Sequence, residues 1–396
     1  MRTVYLATGI ILFLIAVIVG CSKKDLKTTP TDYPYVRETF GTNIDLNNLS
    51  NYANQSKPNY ILKDNSAGAT ISNAKATLGR VLFYDKNLSI DNSVSCASCH
   101  KQEFAFGDAD QVSKGVQSGV TVRHSMRLVN TRFANERKFF WNERAATLEI
   151  QTTRPIQDHA EMGFSGESGR PGLQDLFTKL QNINYYKELF QFVYGDQTIT
   201  ETSLQECLSQ FIRSIQSFDS KYDAGRVLVG NENQPFPNFS AQENNGKRLF
   251  LAPPAFNGSG VRINGGLGCN GCHQAPEFDI DPNTRNNGLI ATINTSVLDL
   301  DNTRAPSLRD ITKPNGTLNT PLMHTGSFNT LRSVILHYNS INHPVQNTNI
   351  DPRLIPNGIG QQLQVTEQEI ADISAFLITL SGNSIYTEKK WGNPFQ

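Results

Sequence analysis

Two pentapeptides of one pattern stand out in the chain, Cys96-Ala97-Ser98-Cys99-His100 and Cys269-Asn270-Gly271-Cys272-His273. Two thiols at this spacing can add to the two vinyl groups of one haem, and the adjacent histidine is then held beneath the iron as its proximal ligand. Cys96, Cys99 and His100 thus read as one covalent c-type haem site, and Cys269, Cys272 and His273 as a second. A four-cysteine zinc site would also use two CxxC pairs, and disulfides or a redox CxxC suit an oxidising compartment. Both alternatives leave the two histidines without a task. The pattern predicts two haems.

Two cysteines remain. Cys207 lies on a face traced by Leu204, Leu208, Phe211, Ile212 and Ile215, where a helical period makes it a buried packing residue. Cys21 closes the leader. Arg2 precedes a run from Val4 to Gly20 that is apolar apart from Thr8, a length that suits a signal-peptide core better than a spanning helix. Gly20-Cys21 resembles a bacterial lipobox, so residues 1–21 are expected to be a lipoprotein-type signal and Cys21 a lipid-bearing N-terminus. An uncleaved anchor or a plain secretion signal is the alternative. Each of these exports the protein to the periplasm or cell envelope.

The chain has 396 residues, with 36 Lys+Arg against 36 Asp+Glu and 38% hydrophobic residues, the composition of a globular protein of about two domains. The neutral balance gives no reason to expect nucleic acid as a partner.

The elements that must position the haem motifs are mostly helical. Residues 22–70 are polar and read as a tether with irregular structure. A helix is expected over 72–84 leading to the first motif, with amphipathic helices over 174–192 and 201–217. Residues 227–239, with Gly230, Pro235, Pro237 and several asparagines, read as a linker. Capping boxes at Ser240-Ala241-Gln242-Glu243 and Thr366-Glu367-Gln368-Glu369 open two more helices around the glycine-rich stretch 251–268 and the second motif. The expected fold class is mainly α: two cytochrome c-like haem domains, 71–230 and 240–381, with long loops, few short strands and a tail over 382–396.

Further segments carry a resemblance. Leu78-Gly79-Arg80-Val81-Leu82-Phe83-Tyr84-Asp85, Phe140-Trp141-Asn142-Glu143-Arg144, Leu148-Glu149-Ile150-Gln151, Glu161-Met162-Gly163, Ala305-Pro306-Ser307-Leu308-Arg309 and Met323-His324-Thr325-Gly326 occur in this order. The set resembles the bacterial dihaem cytochrome c peroxidases, a superfamily that includes the MauG-type haem enzymes. The resemblance runs from about residue 70 to 381. It implies a peroxide-reacting haem on His100, an electron-entry haem on His273, and Trp141 between them. It also implies Gln151 and Glu161 as distal residues over the first haem. Splitting a bound peroxide requires a proton to move from one oxygen to the other, a task for a carboxylate whose pKa is raised by burial. His159 is the alternative to Glu161 as acid and base.

Two positions depart from the commoner pattern. Where many such peroxidases carry a blocking histidine after the first motif, this chain has Ser113-Lys114-Gly115-Val116. Valine cannot ligate iron, so the first haem is expected to be open at rest, with His124 as an alternative ligand. His124 also replaces an asparagine that helps hold an interdomain calcium ion in the family, which leaves a calcium ion open here. At the position of the second haem's distal methionine stands Tyr338, as in the MauG-type enzymes, and it is the expected ligand, with Met323, His337 or an open site as alternatives.

The expected function is an exported peroxidase that reduces hydrogen peroxide to water with electrons from a small c-type cytochrome or similar donor. A MauG-like oxidase that modifies a protein partner, and a dihaem electron carrier without peroxide chemistry, are the other readings. The resemblance also makes a homodimer a candidate assembly.

Overall fold

The computed structural model describes residues 32–395 apart from 136, 281 and 294–295. The leader and Cys21 lie outside the described residues. Helices are α1 (Pro34–Phe40), α2 (Asn73–Tyr84), α3 (Cys96–Cys99), α4 (Leu148–Gln157), α5 (Leu173–Gln181), α6 (Asn184–Tyr194), α7 (Glu201–Ser214), α8 (Lys221–Arg226), α9 (Ala241–Leu251), α10 (Leu331–Asn339), α11 (Glu367–Ile378) and α12 (Ser384–Thr387). Two short antiparallel ribbons complete the regular structure, β1 (Pro254–Phe256) with β2 (Arg262–Gly265), and β3 (His273–Gln274) with β4 (Asp279–Ile280). The mainly helical class is as expected. No helix among the described residues is long and apolar enough to cross a membrane.

Each haem motif sits beside one tightly crossed helix pair. Ser72 caps α2 by accepting from Lys75 N at 3.3 Å, and the helix buries Leu78, Val81, Leu82 and Phe83. It crosses α7 at Gly79, where a Cβ would run into the Cys207 carbonyl and the Phe211 side chain. In the second half α9 crosses α11 at Gly246, where a Cβ would meet the Asp372 carbonyl and the Phe376 side chain. The repeat extends to the next residue. Buried Arg80 donates from Nε to the Gly392 carbonyl at 2.7 Å, and buried Lys247 donates from Nζ to the Gln234 carbonyl at 2.6 Å. The internal duplication therefore covers the helix crossing as well as the haem pentapeptide. Gly246→Ala is expected to cost about 1–3 kcal/mol through overpacking at the crossing, read as a lower midpoint in thermal unfolding.

Three expectations change in detail. The stretch 174–192 is two helices, because the chain breaks at Asn182 and Ile183 between α5 and α6. The linker region is partly core, since Phe236 and Phe239 pack with Tyr222, Phe250 and Phe376 in the second apolar cluster. The lead-in and the tail both belong to the first cluster, through Val36, Phe40 and Tyr52 at one end and Ile385 and Trp391 at the other. Apolar residues spaced singly along polar segments gave no period from which to read that packing.

Candidate active site

The first motif forms α3, a single turn started by a capping box in which Ser95 N donates to Ser98 Oγ at 3.0 Å. His100 follows directly, and its Nδ1 hydrogen-bonds the Phe106 carbonyl at 3.1 Å. That contact fixes the tautomer and leaves Nε2 for a metal, the usual arrangement of a ligating histidine. Desolvation lowers the pKa of His100, so the ring is neutral and its lone pair available.

His100, Cys96 and Cys99 line a cleft of about 70 Å³ whose walls include Gln151, Glu161, Met162, Leu128 and Ile212. Gln151 comes from α4, which Thr147 caps by accepting from Ile150 N at 3.2 Å. Helical spacing brings Gln151, Thr152 and Pro155 to one face of this cleft. Glu161 lies in the turn after α4. Asp158 Oδ1 accepts from the backbone N–H groups of Ala160 and Glu161 at 2.8 and 3.0 Å, and the Glu161 carbonyl accepts from Val116 N at 3.0 Å. The backbone is thus pinned on both sides. Burial, aided by the Asp158 charge and opposed by Arg144, pushes the Glu161 carboxyl up to about 7. A carboxyl at that value exchanges protons readily in both directions near neutrality.

His159 points away, exposed, with Nδ1 3.1 Å from Ser165 Oγ, and takes no part in the cleft. Val116 is buried and contributes its backbone to the Glu161 turn, no donor atom to the cleft. Among the described lining residues the sole histidine is His100. His124 lines the other cavity, so it is not a replacement ligand for the first haem. Met162 is a soft donor in the cleft that the sequence reading did not single out. Its position beside Glu161 in the Glu161-Met162-Gly163 segment was the available signal.

The second motif lies between the β1–β2 ribbon and β3. His273 hydrogen-bonds through Nδ1 to the Pro306 carbonyl at 2.9 Å, repeating the His100 arrangement, and desolvation lowers its pKa to about 4. The cavity beside it, about 610 Å³, is lined by Cys269, Cys272, His273, Trp141, Met323 and Tyr338, among largely apolar neighbours. Tyr338 sits on α10 with its phenol held in the neutral form by burial, 3.5 Å from Asn287 Nδ2. Met323 Sδ lies 3.9 Å from the same Nδ2. His337 does not line the cavity; its Nε2 is 3.0 Å from the Asn287 carbonyl. Two of the named candidates, Tyr338 and Met323, therefore share the cavity with His273 and gather around one amide.

One segment separates the two spaces. His124, Met126 and Arg127 line the second cavity, Leu128 lines the first, and Ser125 lines both. Trp141 is tied to this wall: its Nε1–H donates to the His124 carbonyl at 2.6 Å, and its own carbonyl accepts from Arg304 N at 2.8 Å. Its ring lies 6.1 Å from that of His324.

The donor sets fit haem in both places: a thiol pair and a neutral, oriented imidazole. The larger cavity matches the volume of a cofactor pocket. Calcium fits poorly. Calcium takes oxygen ligands, and at the relevant position His124 offers a ring whose Nδ1 contacts the Asp110 and Gln111 carbonyls. Arg127 brings a buried positive charge to the same wall, with Nη2 on the Ser307 carbonyl at 3.0 Å.

Residues 73–233 match the family described as di-haem cytochrome c peroxidase. The methylamine utilization protein MauG of Methylophilus methylotrophus is 28% identical over 318 residues, spanning 78% of this chain and 83% of that protein. The cytochrome c peroxidase Ccp of Escherichia coli is 26% identical over 315 residues, 79% of this chain and 59% of that protein. A solved MauG-like protein associated with microbial copper homeostasis has a TM-score of 0.66 at 25% identity, covering 87% of this chain and 99% of that one. The diheme peroxidase BthA of Burkholderia thailandensis shares the fold, with a TM-score of 0.57 at 21% identity over 87% of this chain and 96% of that one.

Proposed function

We propose that the chain is a dihaem peroxidase that reduces hydrogen peroxide to water with two electrons from a small c-type cytochrome or similar donor, a reading supported by the family match over residues 73–233 and by the relatives named above. The observation that carries the reading is Glu161, a carboxyl pushed up to about 7 in the same cleft as Gln151 and the His100 haem-binding set. Haem, when bound, supplies the redox chemistry. His100 and His273 hold it as neutral ligands, and the two cysteine pairs tether it. Glu161 accepts a proton from peroxide held in the cleft and returns it to the departing oxygen as water. Gln151, a neutral amide, orients the peroxide without competing for that proton. Trp141 and the 124–128 wall lie in the path for electrons from the second site to the first. Calcium has no part in this reading.

The protein is proposed to work in the periplasm or cell envelope, tethered through lipid on Cys21, and a homodimer is its proposed assembly. A cytochrome donor is supported by the relatives named as cytochrome c peroxidases. Mixing peroxide with ferrocytochrome c and the holoprotein tests the reading: two ferrocytochromes oxidised per peroxide are expected. Peroxide consumption without donor oxidation contradicts it. Denaturing mass spectrometry should find two covalent haems. The paired change of Cys269 and Cys272 to alanine should leave one.

A second reading has its own observation. Tyr338 beside the His273 cavity, with the likeness to MauG, favours an oxidase that modifies a protein partner. A peroxide-dependent mass change in a co-purified partner supports that reading. A dihaem electron carrier predicts instead that Glu161→Gln changes nothing.

A further inference from the structure

Behind the first haem motif lies a buried polar group that the peroxide chemistry does not use. Tyr185 and Tyr186, adjacent on α6, both donate their hydroxyl protons to the same oxygen, Asp85 Oδ2, each at 2.7 Å. Asp85 is 4% exposed and its other oxygen accepts from the Asn87 backbone and side chain at 2.8 and 2.9 Å. Lys179 is the cation whose charge reaches Asp85. Tyr186 is wholly buried in the first apolar cluster, the same cluster against which Cys96 of the haem-bearing turn packs. Its ring centroid is 4.8 Å from that of Tyr185. Tyr185 in turn packs edge-on against Phe40 at 5.3 Å and Phe395 at 6.2 Å, and Phe395 is solvent-exposed.

We propose that Tyr186 and Tyr185 are a redox-active pair that drains oxidising equivalents from the first site to the surface, with Asp85 as the shared proton acceptor. The inference rests on the peroxide reaction proposed above. A neutral phenol gives up an electron at reasonable cost only when its proton has somewhere to go, and a hydrogen bond to a carboxylate provides that. Tyr186 loses one electron to the peroxide-oxidised site and one proton to Asp85 Oδ2. Tyr185 then gives one electron to the Tyr186 radical. Asp85 returns its proton to Tyr186 and takes the Tyr185 proton in exchange. A phenolic or enediol reductant at the surface restores Tyr185 with one electron, and Asp85 hands the proton back. The reductant's own proton is released to water, so charge and atoms balance. The pair would protect the site when peroxide arrives and the cytochrome donor is exhausted.

The test uses the two-haem protein mixed with hydrogen peroxide in the absence of donor, frozen at intervals for EPR, with peptide mapping of oxidation afterwards. A narrow tyrosyl signal that responds to ring-deuterated tyrosine is expected, together with oxidised product on the peptide containing residues 185 and 186. Tyr186→Phe and Tyr185→Phe should each reduce the signal severalfold and hasten bleaching of the haem band. Tyr185→Phe removes the hydroxyl of a partly buried residue and keeps the test available if the buried variant fails to fold. An unchanged signal in the folded variants overturns the relay. A haem band that responds to peroxide with no tyrosyl signal overturns the relay alone. A haem band that does not respond overturns the peroxide reading as well.

Discussion

Glu161→Gln is expected to slow the reaction of the holoprotein with hydrogen peroxide by about 10²–10⁴-fold, the contribution usual for a positioned acid and base. Haem content and the spectrum of the second site should be unchanged, because the side chain lines only the first cleft. The pH profile separates a chemical role from a structural one. With its carboxyl pushed up to about 7 by burial, Glu161 is mostly protonated below that value and cannot accept a proton from peroxide. The wild-type rate should therefore fall as pH drops through about 7 and level off above it, a limb that the glutamine variant lacks. Stopped-flow measurement of the haem band over pH 5–9 gives both quantities. Equal rates and equal profiles for the two proteins would remove Glu161 from the chemistry.

Tyr338→Met is expected to raise the midpoint potential of the second haem by roughly 0.1–0.3 V, a fraction of the ~0.8 V that axial ligation spans. The sign follows from ligand chemistry: a phenolate stabilises the ferric state, whereas a thioether favours the ferrous state. A phenolate ligand must first lose its proton. Burial alone keeps the Tyr338 phenol protonated, so a bound metal has to supply the compensating charge. Met323 provides the control, since it stands near the same Asn287 amide. If Met323 is the ligand, Met323→Leu lowers the potential and Tyr338→Met leaves it in place. Spectroelectrochemical titration of the three proteins distinguishes the two assignments.

The chemistry of this chain was more legible than its packing. Two CxxCH pentapeptides carry their meaning in residue type and spacing alone, and the capping boxes at Ser240 and Thr366 begin their helices where the pattern put them, with Glu243 N and Glu369 N donating to the cap hydroxyls at 3.1 and 3.2 Å. Glu161 and Gln151, read from resemblance, share a cleft with His100. The carbonyls that orient the two histidines were not legible. Phe106 and Pro306 are 6 and 33 residues from their partners and act through backbone atoms, which leave no mark on residue type. The same holds for Gly79 and Gly246, whose need for a bare Cα depends on a carbonyl in a distant helix. His124, the alternative ligand for the first haem, lines the second cavity, because sequence proximity to the motif does not say which side of a wall a residue faces. The tail was misjudged for a related reason: Trp391 is buried by the fold around Tyr52 and Tyr84, whose hydroxyls bond to the Lys390 and Trp391 carbonyls at 2.6 and 2.7 Å.

The first site is proposed to be open at rest and to meet peroxide with Glu161 already in place. Mixing the fully ferric, two-haem protein with one equivalent of hydrogen peroxide, followed by absorption and EPR, tests it most directly. Rapid loss of a high-spin ferric signal with no prior reduction is expected, since no histidine other than His100 lines the cleft among the described residues. Reaction only after one-electron reduction would overturn this and would mean that another donor, such as Met162 in the cleft wall, closes the site at rest.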